Sequence, residues 1–200
     1  MIKLHEFAPS GNCYKVRLLL AQLGIPFERV AVDLHTRETR TPEFLAKNPI
    51  GRVPTVELEP GRYLAESNAI LWYFAEDTEY LPEGRLGRAQ ALQWMFFEQY
   101  SHEPYVAVAR AWVAYFGVPQ GKEQELVERR ENGYAALDVM EQLLAAQPFF
   151  AGERYSIADI ALYAYTHVAD EGGFDLARYP AIGAWMARVK AQPRHVGIKD

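Results

Sequence analysis

The sequence predicts two successive domains: a small α/β domain with a mixed four-stranded sheet, and then an all-α helical bundle. Strand and helix patterns alternate through about residue 79, in the order β-α-β-α-β-β-α. After the segment TEYLPEG the strand patterns disappear, and long helical patterns take their place. We therefore assign residues 1–79 to the α/β domain, 80–87 to a linker and 88–200 to the helical domain.

The first strand and helix carry clear local signals. Ile2–Phe7 has the length of a strand, and the turn residues Ala-Pro-Ser-Gly follow it. In the next segment, apolar residues recur at i, i+3, i+4 and i+7, as on one face of a helix, and Gly24 is expected to end that helix. The apolar positions are Val16, Leu19, Leu20 and Leu23.

The remaining elements of this domain are shorter. Phe27–Leu34 is predicted as a strand, and Thr41-Pro42 as the cap and first turn of a short helix. Strands over 54–59 and 62–66 are joined by a Pro-Gly turn, and Ser67 is expected to cap the helix NAILWYFAE. A parallel βαβ unit beside an antiparallel hairpin gives a small mixed sheet, as in thioredoxin-like domains.

The second domain contains four predicted helices. The first covers residues 86–116 and is expected to bend near Pro104, because an interior proline removes a backbone hydrogen bond. The second covers residues 123–146. Ser156-Ile157-Ala158-Asp159 begins the third as a capping box, to which we assign a structural role, and the fourth runs from about 180 to 191.

Charge and cysteine content narrow the class of protein. A formal net charge of −5 argues against nucleic-acid binding, because phosphate contacts need a basic surface. One cysteine cannot form a disulfide within the chain, which fits the reducing cytoplasm. MIKLHEF lacks the features of a signal peptide, and no apolar run approaches the roughly 18 residues of a membrane helix. We expect a cytoplasmic protein with neither nucleic-acid nor membrane partners.

Signatures of metal and nucleotide cofactors are missing. The five histidines have no metal-ligand spacing, and neither a GxGxxG nor a Walker A pattern is found. We expect no metal and no nucleotide cofactor.

Four segments in order resemble the cytosolic glutathione transferase family, over essentially the whole chain. They are LHEFAPSGNCYKV, NPIGRVPTVEL, LAESNAILWYFAE and GERYSIADIALYAY. The serine in the first segment resembles the serine-type branch, with its bacterial and theta-like members. The resemblance implies a glutathione-binding first domain, an electrophile pocket in the second, and a homodimer. It also implies a detoxifying glutathione S-transferase, with glutathione as co-substrate and a small electrophile or organic hydroperoxide as substrate.

Ser10–Cys13 has the spacing of a Cys-x-x-Cys motif whose first cysteine is replaced by serine. A free thiol has a pKa of about 8.5, so a transferase must stabilise the glutathione thiolate. A hydroxyl at a helix start can donate to the sulfur while the helix dipole favours the anion, which makes Ser10 the candidate catalytic residue. The alternative is that Ser10 only caps the helix. Asn12 is either a second donor or a turn residue, and Cys13 is interpreted as a small buried hydrophobe.

The resemblance implies glutathione contacts in two further segments. Pro54 resembles a cis-proline that turns the backbone of Val53 toward the cysteinyl amide of glutathione, and Arg52 is a candidate for the glycyl carboxylate. Glu66 is expected to accept from the γ-glutamyl ammonium, while Ser67 and helix N–H groups hold the α-carboxylate. The loop after the second strand offers three more candidates, among which the sequence does not choose: His35, Thr39 and Arg40.

The aromatic-rich helix over 86–116 is expected to contribute mostly to the core. Part of it should line the electrophile pocket or the subunit interface, where an arginine or tyrosine would polarise a carbonyl or hydroperoxide acceptor. The candidates are Tyr100, Glu103, Tyr105, Arg110 and Trp112.

Two alternative functions keep the same fold. In one, Cys13 forms a mixed disulfide with glutathione, and the protein catalyses thiol–disulfide exchange. In the other, the protein is a non-catalytic glutathione-fold module for ligand storage or assembly. Ser10, together with the Val53-Pro54 and Glu66-Ser67 pairs, favours the transferase, because a module without chemistry has no need of Ser10. The sequence does not identify the electrophile.

Overall fold

A computed structural model describes residues 1–200 and divides the chain into two compact units. The first contains Met1–Thr78 and Pro193–Asp200, and the second contains Glu79–Gln192. The predicted fold class, an α/β domain followed by a helical domain, is confirmed. The observed division differs from the predicted one at the C-terminal segment. Residues 193–200 pack with the α/β unit, although they follow the helices in sequence.

The first unit is built on a four-stranded mixed sheet with strand order β2-β1-β3-β4. β1 pairs in parallel with β2, and β3 pairs antiparallel with β4, as predicted; β1 also pairs antiparallel with β3, which joins the two halves of the sheet. The elements in chain order are β1 (Ile2–Glu6), α1 (Gly11–Leu23), β2 (Phe27–Ala31), a 3₁₀ turn (Glu38–Arg40), α2 (Pro42–Leu45), β3 (Thr55–Glu59), β4 (Arg62–Ala65) and α3 (Ser67–Ala75).

One face of the sheet packs against α1 and α3. Apolar side chains at alternate strand positions meet the apolar faces of both helices, which buries a shared core. Its fully buried members are Leu4, Val16, Leu20, Val56 and Ile70. His5 follows Leu4 in β1, and its ring lies edge-on to Phe44 of α2, with centroids 6.3 Å apart.

The ends of the short elements follow local capping rules. α1 ends at Gly24, whose φ of 69° lies in the left-handed region that favours glycine. The Thr41 hydroxyl accepts from Phe44 N at the start of α2, as predicted. β2 is shorter than predicted and ends at Ala31, since its only neighbour β1 ends at Glu6; Val32 N still donates to Glu6 O at 2.7 Å.

The second unit is helical throughout, as predicted. Its elements are α4 (Gly84–Phe97), a π-helical segment (Glu98–His102), α5 (Glu103–Arg110), a second π-helical segment (Ala111–Phe116), α6 (Glu123–Ala146), α7 (Ile157–Thr166), a 3₁₀ turn (Ala169–Gly172) and α8 (Pro180–Lys190). The first π-helical segment ends two residues before Pro104. A wider turn there accommodates a residue that cannot donate a backbone hydrogen bond, and it lies next to the proline at which a bend is predicted.

α7 is the central helix of this unit, and all of its residues are buried. The predicted capping box is confirmed: Ser156 Oγ accepts from Ala158 N, and Ser156 N donates to Asp159 Oδ2 at 2.9 Å. Phe150 N and Trp185 Nε1 both donate to Asp159 Oδ1. The cap therefore ties the start of α7 to α8 and to the preceding loop. No helix has both the length and the apolar character needed to cross a membrane.

Candidate functional site

The candidate glutathione contacts of the first unit collect at one edge of the sheet. Glu6 pairs with Ala31, His5 with Thr55, and Thr55 with Ala65, so β1, β2 and β4 end where β3 begins. The loops that leave this edge therefore carry four groups of candidate residues. Four strands about 4.8 Å apart span about 14 Å. This edge is therefore wide enough for an extended tripeptide, which is roughly 10 Å long.

Ser10 is the N-cap residue of α1. Its backbone is extended, and its Oγ accepts from Cys13 N at 3.3 Å. A hydroxyl that accepts through a lone pair still has its O–H group as a donor. Capping and donation to a ligand are therefore compatible, and the partly exposed side chain stands at the positive end of the α1 dipole.

Cys13 is fully buried in the first turn of α1. Burial raises the pKa of its thiol to about 12, although contacts with the Ser10 side chain and the Phe7 backbone act in the opposite direction. Because the thiolate is the nucleophilic form, Cys13 has the character of an inert core residue. This supports the interpretation of Cys13 as a buried hydrophobe.

Asn12 and Ser67 connect the N-termini of α1 and α3. Ser67 Oγ donates to Asn12 Oδ1 at 3.1 Å and accepts from the buried Lys15 Nζ at 3.3 Å. Lys15 Nζ also lies 3.5 Å from Asn68 Oδ1. Ser67 is the first residue of α3 rather than its cap, so the prediction that it caps this helix is wrong. Its hydroxyl instead fixes the two helix starts relative to each other.

Glu66 occupies the N-cap position of α3 but makes no side-chain capping hydrogen bond. Its φ of 67° and ψ of 111° are unusual for a residue with a side chain, and such conformations collect at functional sites. The Glu66 carboxylate is exposed at the sheet edge. The residue before α3 therefore does not cap the helix through its own side chain, and its carboxylate stands at the positive end of the α3 dipole.

The bond between Val53 and Pro54 is cis, as the resemblance implies. Val53 lies in a loop, and it takes part in none of the backbone hydrogen bonds of the turns and loops. The carbonyl of Arg52 accepts from Asn48 Nδ2 at 2.8 Å and from Thr55 Oγ1 at 3.1 Å, while the Arg52 side chain is exposed. Asn48 is a buried support that the sequence analysis did not identify; its place before Pro49 in a loop was the available signal.

The three candidates in the loop after β2 differ in their surroundings. His35 is exposed, and its ring lies edge-on to Phe7 with centroids 5.9 Å apart, next to the Ser10 loop. Thr39 is buried. Arg40 is exposed and donates to Ile50 O at 3.1 Å, which ties this loop to the one that carries Arg52. His35 and Arg40 therefore have side chains that solvent reaches, whereas Thr39 does not.

The candidates of the helical unit are dispersed. Tyr100 lies in the first π-helical segment with 84% of its surface exposed, and Glu103 and Tyr105 are half-buried in α5. Arg110 is buried and donates to Glu171 Oε2 at 2.7 Å and to Tyr115 Oη at 2.8 Å. The Arg129 guanidinium lies 5.0 Å from the centre of the Trp112 ring. Arg110 thus belongs to a structural network with Tyr115, whose pKa is raised, mainly by burial.

No group of three or more histidine, cysteine, aspartate or glutamate side chains is arranged to hold a metal ion. The site is instead made of hydroxyl, amide, carboxylate and backbone groups around two helix N-termini.

Comparison with known proteins identifies the family. Residues 1–76 match the model described as Glutathione S-transferase, N-terminal domain, and residues 95–193 match Glutathione S-transferase, C-terminal domain. The chain belongs to the glutathione S-transferase family.

Individual relatives are similar over nearly the whole chain. A glutathione S-transferase structure from Pseudomonas fluorescens Pf-5 is 56% identical with a TM-score of 0.97, and the match covers 100% of this chain and 99% of that one. Disulfide-bond oxidoreductase YfcG of Escherichia coli K12 is 32% identical, over 96% of this chain and 92% of its own. A glutathione transferase family member from P. fluorescens Pf-5 with two glutathione bound is 26% identical with a TM-score of 0.83, covering 96% and 89%.

Proposed function

We propose that this protein is a serine-type glutathione transferase, in which Ser10 holds the glutathione thiol as a thiolate for attack on a small electrophile or an organic hydroperoxide. The observation that carries the proposal is the Ser10 hydroxyl at the N-terminus of α1. Its oxygen already accepts from Cys13 N, which orients the group while its O–H can donate to sulfur. The membership of the family and the glutathione bound in a relative support glutathione as the co-substrate.

The proposed binding mode places glutathione along the sheet edge. The Glu66 carboxylate accepts from the γ-glutamyl ammonium, and the N–H groups of the first turn of α3 hold the α-carboxylate. The backbone of Val53 pairs with the cysteinyl unit as an added strand would. Arg52, with His35 or Arg40, meets the glycyl carboxylate. Asn12, whose amide oxygen accepts from Ser67, is the candidate for a second donor to sulfur.

The energy that this mechanism requires is modest. Lowering the thiol pKa by about two units takes about 2.7 kcal/mol of preference for the thiolate. A hydrogen bond to a charged group contributes about 1.5–3 kcal/mol, and a helix N-terminus adds a few tenths to about 1 kcal/mol. Ser10 and the α1 dipole together are sufficient. The thiol proton is released to solvent, and Ser10 neither ionises nor forms a covalent bond.

The test is a titration of bound glutathione in Ser10 variants. In Ser10→Ala the thiol pKa, read from thiolate absorbance, should rise toward its value in solution, and kcat should fall on the order of 100-fold. Ser10→Thr keeps a hydroxyl and should restore most of the effect. Cys13→Ala is the matched control and should change neither quantity. An unchanged thiol pKa in Ser10→Ala would contradict the proposal.

A second candidate is glutathione-dependent disulfide reduction. The similarity to Disulfide-bond oxidoreductase YfcG, and the two glutathione molecules bound in a relative, favour it. The buried Cys13 argues against a mixed disulfide on the protein, so bound glutathione would be the attacking thiolate. It would attack a disulfide to form a mixed disulfide and release one thiolate, and a second glutathione would then release the other thiolate as oxidised glutathione forms.

These reactions separate in one set of assays. Purified protein with glutathione is supplied with a chlorinated arene, an epoxide, cumene hydroperoxide or a small dialkyl disulfide. Turnover of the first three supports the transferase or peroxidase, and turnover of the disulfide in Cys13→Ala supports reduction by bound glutathione. Loss of disulfide turnover in Cys13→Ala would favour the Cys13 mechanism. Tight glutathione binding without any turnover would favour the non-catalytic module.

We also propose that the protein is a cytoplasmic homodimer, and that the helical unit supplies the electrophile pocket. The single buried cysteine fits a reducing compartment. α4 and the π-helical segment after it expose apolar side chains along one face, which a second subunit would cover. These residues are Leu86, Phe96 and Tyr100. Glu103, Tyr105 and Trp112 remain candidates for the pocket.

A further inference from the structure

A buried ionic cluster lies behind the Ser10 loop. Glu6, the last residue of β1, is 2% exposed, and its carboxylate is bound by the guanidinium groups of Arg17 and Arg29. Arg17 lies in α1 and is also buried, whereas 40% of the Arg29 side chain is exposed. The two arginines bind the same carboxylate, but the rest of their contacts differ.

Arg17 joins three parts of the first unit. Its NH1 donates to Glu6, while its NH2 donates to Ala8 O at 3.2 Å and to Ile198 O at 2.7 Å. Ala8 lies two residues before Ser10, in a loop closed by the hydrogen bond from Ser10 N to Phe7 O at 2.9 Å. One rigid guanidinium therefore connects the loop that carries the Ser10 hydroxyl to the final segment of the chain.

That final segment, residues 193–200, is attached to the first unit at several points. Tyr14 Oη donates to Val196 O at 2.7 Å, and Arg29 NH1 donates to Asp200 O at 2.6 Å. The Ile198 side chain is 8% exposed, so it anchors the segment. The Tyr14 hydrogen bond and the buried Ile198 side chain keep the carbonyl of Ile198 at Arg17, whereas Arg29 binds only the last residue of the segment, two positions further on.

We propose that residues 193–200 form a strap which, through Arg17, sets the position of the Ser10 hydroxyl, so that Arg17 is a positioning residue for thiolate formation. The inference rests on the proposed function of Ser10. A preorganised donor stabilises charge only while its distance and direction are held, and Ala8 O is the point at which Arg17 holds the loop. Arg29 shares the carboxylate and the strap but does not contact the loop, which makes it the matched control.

The experiment compares Arg17→Gln with Arg29→Gln in the full chain. Arg17→Gln should raise the thiol pKa of bound glutathione by about one unit and lower kcat at neutral pH about tenfold, with a smaller change in KM for glutathione. Arg29→Gln should lower the melting temperature while the thiol pKa stays at the wild-type value. A structural role alone would lower both melting temperatures and move neither thiol pKa, which would overturn the inference.

Two milder variants cover the case in which Arg17→Gln does not fold. Arg17→Lys keeps a charge for Glu6 but cannot donate in the same fork to both carbonyls, and Ile198→Ala removes the anchor of the strap. Each variant should also raise the thiol pKa of bound glutathione. A wild-type thiol pKa in both variants would overturn the inference. Ser10→Ala distinguishes a failure of the proposed function from a failure of the strap alone. If it leaves the thiol pKa unchanged, the proposed function fails; if it raises the pKa while the strap variants do not, only the strap is wrong.

Discussion

At the scale of single residues, Ser10 shows how one hydroxyl can cap a helix and still have a proton for the proposed chemistry. The sequence presents capping and catalysis as competing interpretations of this serine. In the structure its oxygen accepts from Cys13 N, and the cap therefore uses a lone pair rather than the proton. Capping holds the side chain at the helix start, which is where we propose that it donates to the glutathione sulfur.

The buried thiol of Cys13 leads to a labelling prediction. With a pKa of about 12, only about one thiol in 10,000 is ionised at pH 8, so iodoacetamide should modify the native protein very slowly. The unfolded protein should react at the rate of an ordinary cysteine. Mass spectrometry after timed quenching measures both rates. Rapid labelling of the folded protein would return Cys13 to the list of candidate nucleophiles.

Glu66 has both a proposed ligand contact and an unusual backbone conformation. Two substitutions distinguish the effect of the carboxylate on binding from the effect of the backbone on stability. Glu66→Ala should weaken glutathione binding by about 1.5–3 kcal/mol, because it removes a hydrogen bond to a charged group. Glu66→Gly should weaken binding equally but unfold at a higher temperature than Glu66→Ala, since glycine adopts a φ of 67° readily. Calorimetry and thermal unfolding measure the two effects. Glu76→Ala, at the other end of α3, is the control and should bind as the wild type does.

At the scale of elements, local signals predicted what local chemistry determines. The helix end at Gly24, the cap at Thr41 and the capping box at Ser156 all depend on neighbours within a few residues. The start of α3 was predicted wrongly, because the Ser67 hydroxyl forms hydrogen bonds with Asn12 and Lys15, which are more than fifty positions away in the sequence. The roles of Arg17 and Asn48 were missed for the same reason: nothing in their local pattern reveals which carbonyls they meet.

The buried capping box predicts a pH-dependent contribution to stability. Burial raises the pKa of Asp159 to about 6 from 3.8, although four hydrogen bonds to the carboxylate act in the opposite direction. The folded state therefore binds this proton more tightly than the unfolded state. Its stabilising contribution is present below about pH 4 and is lost as the pH rises to about 6, by up to about 3 kcal/mol.

Two variants isolate this contribution. Asp159→Asn does not titrate, so the difference in unfolding free energy between wild type and variant should fall between pH 4 and 6. Ser156→Ala keeps the carboxyl but removes one hydrogen bond to it, so at lower stability it should retain the pH-dependent loss, moved to higher pH. Denaturant titrations at several pH values provide the data. Parallel profiles for wild type and Asp159→Asn would contradict the assignment.

At the scale of the whole molecule, the exposed apolar face of α4 bears on assembly. Tyr100 and Phe96 are 84% and 69% exposed, although side chains of this type are usually covered. We expect light scattering at micromolar concentration to give twice the 22.8 kDa mass of one chain. Phe96→Glu should shift the mass toward one chain, because it places a charge in the covered surface. Val139→Glu, on α6, changes another exposed apolar residue and should leave the mass unchanged. A wild-type mass of 22.8 kDa would contradict the dimer.

The attachment of residues 193–200 to the first unit makes that unit discontinuous in sequence. On a ribosome, β1 and α1 emerge early, yet the carbonyl that Arg17 binds emerges only after all five α-helices of the second unit have been made. The helical unit is continuous and can fold while the α/β unit still lacks its last segment. A chain that ends at residue 192 contains the whole helical unit, whereas its α/β unit has a Glu6–Arg17 cluster without its final partner.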